Sequence, residues 1–174
     1  MGNHEHGLDD KGRVIIPSKF RDVIDPEVDG SGFVITPAPE ECLLLYTPAE
    51  WENICQSIAG VPRGSSQYRA FQRQLYGMAE EIKLDRQGRI LVPERMRKTV
   101  HIDKEIVIAG VYDRLEIWAK PTWEAMISAG RGTFGRQMED YLGVMAQPGS
   151  QHGPGAGPAL LGTDDAHSLE GETD

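Results

Sequence analysis

The chain contains the same segment twice, and that duplication constrains its fold more than any other feature. LDDKGRVIIPSKFR, Leu8 to Arg21, returns as LDRQGRILVPERMR, Leu84 to Arg97. Leu, Asp, Gly, Arg, Pro and a second Arg recur without a gap, and Lys19 aligns with Arg95, so charge is kept where identity is not. The second halves match more loosely, LLLYTPAEW ending at Trp51 against LEIWAKPTW ending at Trp123. The offset falls from 76 residues at Gly12/Gly88 to 72 at Trp51/Trp123, so the second copy has a loop four residues shorter. A site built by one copy is therefore expected again in the other. Each copy spans about 45 residues, too few to bury an adequate core alone, so the halves are expected to pack together and to oligomerise.

Charge sharpens this reading once it is divided along the chain. The 174 residues carry a net charge of −9, which taken whole argues against a nucleic-acid partner. Residues 147–174, however, hold five acids and no Lys or Arg, which leaves −4 for the rest. Lys11 to Arg21 carries Lys11, Arg13, Lys19 and Arg21 with no acid, and Lys83 to Lys98 carries Lys83, Arg86, Arg89, Arg95, Arg97 and Lys98 against Asp85 and Glu94. The repeated motif is the basic part of an acidic protein, as a localised polyanion site would be.

The pattern predicts a β-hairpin, a short helix, two strands and a helix, then the same again. Val14-Ile15-Ile16 and Ile90-Leu91-Val92, stopped by Pro17 and Pro93, read as short buried strands, each followed by a helix opened by the proline. Phe33-Val34-Ile35 with Leu43 to Tyr46, and Ile106 to Ala109 with Leu115 to Trp118, read as strand pairs around turns. Thr47-Pro48-Ala49-Glu50 has the form of a capping box, and Ser65 or Ser66 starts a helix striped by Tyr68, Phe71, Leu75, Tyr76 and Ala79. Glycines 130, 132 and 135 interrupt the helical tendency after Trp123, before a last amphipathic stretch with Met138, Tyr141, Leu142 and Met145. Six glycines and three prolines among residues 147–174 predict a disordered acidic tail.

Asp9-Asp10-Lys11-Gly12-Arg13 and Asp85-Arg86-Gln87-Gly88-Arg89 share the form Asp-x-x-Gly-Arg. Asp caps a turn two residues on, and Gly supplies the positive φ that ends it. A single copy reads as an ordinary hairpin turn. Two copies with Arg at the same place favour a solvent-facing guanidinium that presents a planar fork to phosphates or guanine edges.

The double motif, the LLLY(x)4W and LEIW(x)4W endings and the length resemble the MraZ family of bacterial transcription regulators, over roughly Leu8 to Met145. The resemblance implies an α+β, β-rich fold of tandem AbrB-like (SpoVT-AbrB) repeats, with a swapped-hairpin or double-ψ-like barrel core and short peripheral helices. It implies ring-shaped homo-oligomers that bind short direct repeats in double-stranded promoter DNA, upstream of the division and cell-wall gene cluster, and act as a repressor. By that likeness Asp9, Lys11, Gly12 and Arg13, with Asp85, Gly88 and Arg89, fall in the DNA-binding motif; Lys19, Arg21, Arg86, Arg95 and Arg97 complete the candidate DNA-binding set. The expected organisation is a flexible N-terminus (1–7), a first repeat (8–54), a linker helix region (55–83), a second repeat (84–127), a C-terminal helix (128–146) and the tail (147–174).

Other residues have plainer readings. His4 and His6, two histidines on a flexible end, make a weak metal site, and no metal or other cofactor is expected. His101 reads as a local hydrogen-bonding group at an element boundary. Trp51, Trp118 and Trp123 could stack on bases, yet their repeat-matched places favour core or inter-subunit packing. Arg63, Arg69 and Arg73 fit the solvated face of the linker helix, and Cys42 and Cys55 fit small buried apolar groups in a reducing cytoplasm. The apolar runs are too short to cross a membrane, and MGNHEHG has neither the basic start nor the apolar run of a secretory signal. Enzymatic patterns are missing: there is no GxSxG, no GxxxxGK[ST] and no metal-spaced His/Cys cluster. The competing reading keeps the fold without promoter DNA, as an interaction scaffold or an antitoxin. Promoter binding would place the protein in the cytoplasm on the nucleoid.

Overall fold

A computed structural model describes residues 2–22, 24–59 and 64–145. The first copy supplies β1 (Gly2–Gly7), β2 (Arg13–Ile15), α1 (Ser18–Arg21), β3 (Phe33–Pro37), β4 (Cys42–Tyr46), α2 (Pro48–Ala59) and α3 (Ser66–Met78). The second supplies β5 (Glu80–Ile82), β6 (Arg89–Leu91), α4 (Glu94–Thr99), β7 (Glu105–Val111), β8 (Arg114–Ala119), α5 (Lys120–Gly130) and α6 (Phe134–Met145). Among the described residues one six-stranded sheet runs β1-β7-β8-β4-β3-β5, and β2 and β6 form a separate two-stranded ribbon. Every pairing in both is antiparallel.

The strand order is a palindrome of the repeat. β1 and β5 are the outer strands, β7 and β3 lie next, and β8 meets β4 at the centre. Each leading strand pairs with the other copy: β1 sits on β7 with His4 opposite Ile108, and β5 sits on β3 with Ile82 opposite Phe33. The copies have exchanged strands, as in a swapped hairpin, so neither half owns a complete sheet. That answers the small size of each copy, because both halves contribute to one core.

Period-two alternation places the core. Phe33, Ile35, Leu43, Leu45, Ile106, Ile108, Leu115 and Ile117 share a cluster with Val14, Ile16, Ile90 and Val92 of the β2–β6 ribbon, which lies across this face. On the other face Val107 and Trp118 pack with Trp123 of α5, while α2 covers β3 and β4. The repeat-matched aromatics do the same job twice: Tyr46 and Trp51 have ring centroids 6.0 Å apart, and Trp118 and Trp123 are 5.8 Å apart. The tryptophans are packing groups.

Local chemistry explains the helix starts. Thr47 Oγ1 accepts from the Glu50 backbone N–H at 3.2 Å, and Ser65 Oγ accepts from Tyr68 N–H at 3.0 Å. Pro17 and Pro93 stand at the cap positions of α1 and α4, one residue before the first turn where the sequence placed them. His101 follows the α4 cap with φ 54, and Ile102 N–H donates to Arg97 O at 2.8 Å, the closure of a left-handed helix end. Its contribution is conformational.

Three expectations are corrected. The N-terminal segment expected to be flexible holds a strand: Gly2–Gly7 is six residues long and pairs with β7, which offers it a full row of partners from Glu105 to Gly110. Val14-Ile15-Ile16 and Ile90-Leu91-Val92 are not buried throughout. Val14 and Ile90 point into the core, but Ile15 and Leu91 are 49% and 54% exposed, because a two-stranded ribbon has one covered face. The C-terminal helix expected over 128–146 begins later, at Phe134: α5 runs on to Gly130, and the break falls at the glycines marked in the sequence. The predicted tail and Arg63 lie outside the described residues.

Candidate nucleic-acid interface

The two Asp-x-x-Gly-Arg segments fold alike, almost atom for atom. Asp9 Oδ1 accepts the backbone N–H groups of Lys11 and Arg13, both at 2.9 Å. Asp85 Oδ1 accepts those of Gln87 at 2.8 Å and Arg89 at 2.9 Å. Gly12 and Gly88 take φ of 77° and 74°, and each donates its N–H back to the aspartate carbonyl, at 2.8 and 2.9 Å. Asp supplies the side-chain acceptor that sets the turn, and Gly the left-handed residue that closes it.

The second aspartate oxygen does something the sequence reading missed. Arg13 donates Nε to Asp9 Oδ2 at 2.8 Å with Nη2 at 2.7 Å, and Arg89 makes the same pair with Asp85 at the same distances. Each arginine is gripped along one edge, while no hydrogen bond among the described residues engages Nη1. Exposed pairs of this kind add little stability; their effect is to hold a flexible side chain in one direction. The guanidinium of Arg13, followed by its backbone N–H, holds the Asp9 carboxyl down to about 2. The Arg89 backbone N–H, followed by its side chain, lowers Asp85 as well. Both aspartates are ionised at neutral pH, so the grip is present there. The i, i+4 Asp/Arg spacing in both copies was the available signal.

The two turns are locked to each other. β2 pairs with β6 with Val14 opposite Ile90. Beyond that register Ile16 N–H donates to Gly88 O at 2.9 Å, and Val92 N–H donates to Gly12 O at 3.0 Å. Arg21 donates Nε to Ile16 O at 3.0 Å and lies against Gly88, while Arg97 donates Nε to Val92 O at 3.3 Å and lies against Gly12. Each turn is therefore backed by an arginine of the other copy. A single repeat could not form either one as seen here.

The remaining candidates fall into separate places. Lys11 and Arg86 are exposed on the turns themselves. Arg21 and Arg97 are half-buried behind the turns. Lys19 stands over the Phe20 ring, with its Nζ 4.8 Å from the centroid. Arg95 is tied to Glu80 of β5 at 2.7 Å, so its side chain staples α4 to the sheet edge. Residues 9–13 carry no net charge and residues 85–89 carry +1. The basic motif is thus largely neutralised where it is most exposed, which favours directional hydrogen bonding over diffuse attraction.

An intertwined tandem of half-domains, each showing an aspartate-held arginine on a glycine-closed turn, is an α+β tandem-repeat architecture. The family model described as "MraZ protein, putative antitoxin-like" matches residues 1–74 and again 75–135. The chain belongs to the MraZ family. Over 142 residues it is 40% identical to the "Transcriptional regulator MraZ" of Pediococcus pentosaceus, covering 82% of this chain and 96% of that one. A protein of the same name from Caldanaerobacter subterraneus is 42% identical over 124 residues, covering 71% of this chain and 83% of its own. Another from Desulforamulus reducens is 34% identical over 145 residues, covering 83% and 99%. These relatives are named as regulators of transcription, not as enzymes, and no described helix is long and apolar enough to cross a membrane.

Proposed function

We propose that this protein binds double-stranded promoter DNA through its paired turns, with Arg13 and Arg89 reading base edges. The observation that carries this reading is the grip of Asp9 and Asp85, which leaves the outer edge of each guanidinium as an aimed pair of donors. Guanine presents two acceptors, O6 and N7, at that spacing in the major groove, and such a bidentate contact discriminates by about 1–3 kcal/mol. Lys11 and Arg86 reach flanking phosphates, while Gly12, Gly88, Arg21 and Arg97 keep the turns in place. Lys19 and Arg95 act in packing around the motif. The active form is a ring of identical protomers on short direct repeats upstream of the division and cell-wall genes, where it acts as a repressor in the cytoplasm, on the nucleoid. The apolar side chains that α6 leaves exposed, Phe134, Met138, Tyr141 and Leu142, support self-association.

A mobility-shift titration with the DNA upstream of the protein's own coding region tests this. The parent should bind repeat-containing duplex in preference to a scrambled one, and Arg13→Ala/Arg89→Ala should lose that preference while keeping its mass in solution. Equal preference in the two proteins would move the DNA surface elsewhere. The words "putative antitoxin-like" in the family description favour a second reading, an antitoxin whose partner is a protein; an absence of DNA preference in the parent would select it.

A further inference from the structure

The turns carry little net charge for holding the duplex backbone, and beside the second of them lies a further place suited to it. Arg21 and Lys83, neither of which is in a salt bridge among the described residues, line a cleft of about 230 Å³ together with Ile24, Gly30, Gly32 and Leu84. The cleft adjoins the second turn: Leu84 immediately precedes Asp85, and Arg21 lies against Gly88. One wall is close-packed: a Cβ at Gly32 would collide with Ile82 O, so the loop lies against the end of β5, next to Lys83. Ile24, Pro26 and Leu84 give the cleft an apolar lining beside the two cations.

The matching place beside the first turn differs. At an offset of 76 residues Arg97 replaces Arg21, but Gly7 replaces Lys83. The loop there is four residues shorter and carries Asp103 and Lys104, followed by Glu105 at the start of β7, with Lys104 Nζ facing Asp10 at 3.9 Å. The turns are twofold-related and Arg97 and Lys104 stand beside the first, but Lys104 faces Asp10, whereas among the described residues no carboxylate pairs with Arg21 or Lys83 beside the second.

We infer that this cleft seats one backbone phosphate of the duplex whose bases the turns read, with Lys83 and Arg21 as its positioning residues, so that each protomer takes DNA in a single orientation. This rests on the reading of the turns as the DNA surface. A site with two equal turns would accept a duplex in either direction with the same energy. One extra phosphate contact at one end removes that equivalence.

The test uses the full chain and short duplexes from its upstream region in which single phosphates are replaced, one at a time on each strand, by uncharged methylphosphonates. Binding is followed by fluorescence anisotropy as a function of salt. The parent should show one position, on one strand per repeat, where replacement weakens binding more than elsewhere. Lys83→Gln should weaken binding about three- to tenfold at moderate salt, reduce the slope of log K against log salt by about 0.9, and become insensitive to that same position. Gly7→Lys, at a position where an added Cβ meets only Lys104 O at 3.9 Å, should create a second sensitive position at the mirror place. If Lys83→Gln keeps the parent's slope and phosphate profile while Arg13→Ala/Arg89→Ala abolishes preference, the cleft holds no phosphate and the reading of the turns survives. If Arg13→Ala/Arg89→Ala binds as the parent does, that reading fails and the cleft proposal falls with it.

Discussion

Replacing Gly88 by Ala tests the interlocked turns most directly, because the structure assigns the substitution two separate costs. At φ 74 an L side chain sits in the left-handed region, which costs about 1–2 kcal/mol. The new Cβ would also stand 2.7 Å from Arg21 Cζ and 2.8 Å from its Nη1, so the guanidinium must leave. Arg21 then gives up its Nε bond to Ile16 O, worth about 0.5–1.5 kcal/mol. Together these predict a loss of about 2–3 kcal/mol, or about 5–10 °C in melting temperature for a chain of this size. Chemical unfolding followed by circular dichroism reads the first number, and thermal unfolding the second.

The same substitution has a built-in control and a built-in partner. Gly77 lies inside α3 with no atom within 4 Å of an added Cβ, so Gly77→Ala should stabilise by about 0.5–1 kcal/mol. Arg21→Ala removes the group that collides with the new methyl, so the double variant Arg21→Ala/Gly88→Ala should lose less than the sum of the two singles. Sites that do not touch add within about 0.5 kcal/mol, so additivity inside that margin would refute the clasp between copies. A neutral or stabilising Gly88→Ala would refute the turn geometry as well.

Three further outcomes follow. Asp9, held down to about 2 by Arg13, contributes stability that is present above the unfolded carboxyl value of about 3.9 and is lost as pH falls through about 2; the gap in unfolding free energy between parent and Asp9→Asn should therefore be constant above about pH 4 and close below it, and a gap that widens on acidification would contradict the pairing. Buried Glu116 accepts from Arg114 Nε at 3.1 Å and from Trp118 Nε1 at 3.0 Å, so Glu116→Ala should cost about 2–3 kcal/mol, less than a fully buried pair because Arg114 keeps some access to water; a loss under about 1 kcal/mol in urea unfolding would show Arg114 simply turning outward. Tyr141→Glu/Leu142→Glu places charge on the exposed stripe of α6 and should lower the mass seen by light scattering, whereas an unchanged mass would remove α6 from the subunit contact.

What the sequence revealed of this fold was whatever is local or repeated. The capping box at Thr47, the turn glycines and the matched aromatic pairs each involve residues within a few positions, and duplication marked them twice. β1 was hidden for the opposite reason. Gly2–Gly7 has two glycines and no β-branched residue, so its strand conformation comes from β7, a hundred residues away, and not from its own propensity. The clasp of Arg21 on Gly88 was hidden likewise, because spacing within a copy does not say that the copies trade partners. The aspartates were placed in the turns but credited with only half their hydrogen bonds, since the turn explains Oδ1 and nothing local demanded a use for Oδ2.

That second oxygen changes how the charge of the motif bears on function. Counting Lys and Arg along the sequence suggested a basic patch, but residues 9–13 are neutral as a unit and residues 85–89 carry only +1. In the proposed reading such a surface has direction without much attraction. A duplex contact built from two aimed guanidiniums and three phosphates, at Lys11, at Arg86 and in the cleft, gives a salt slope of only about three, so one protomer alone holds DNA weakly at physiological salt. Discrimination and affinity then come from different levels of the assembly. The aspartate grip sets which base edge is accepted, and joining several protomers on one DNA multiplies weak contacts by ~10²–10⁴ without a new type of contact. An isolated turn with a bare arginine would reverse that division, binding any phosphate it met. On that proposal, holding Arg13 and Arg89 against carboxylates gives up indiscriminate affinity for selectivity and would make assembly the source of binding strength.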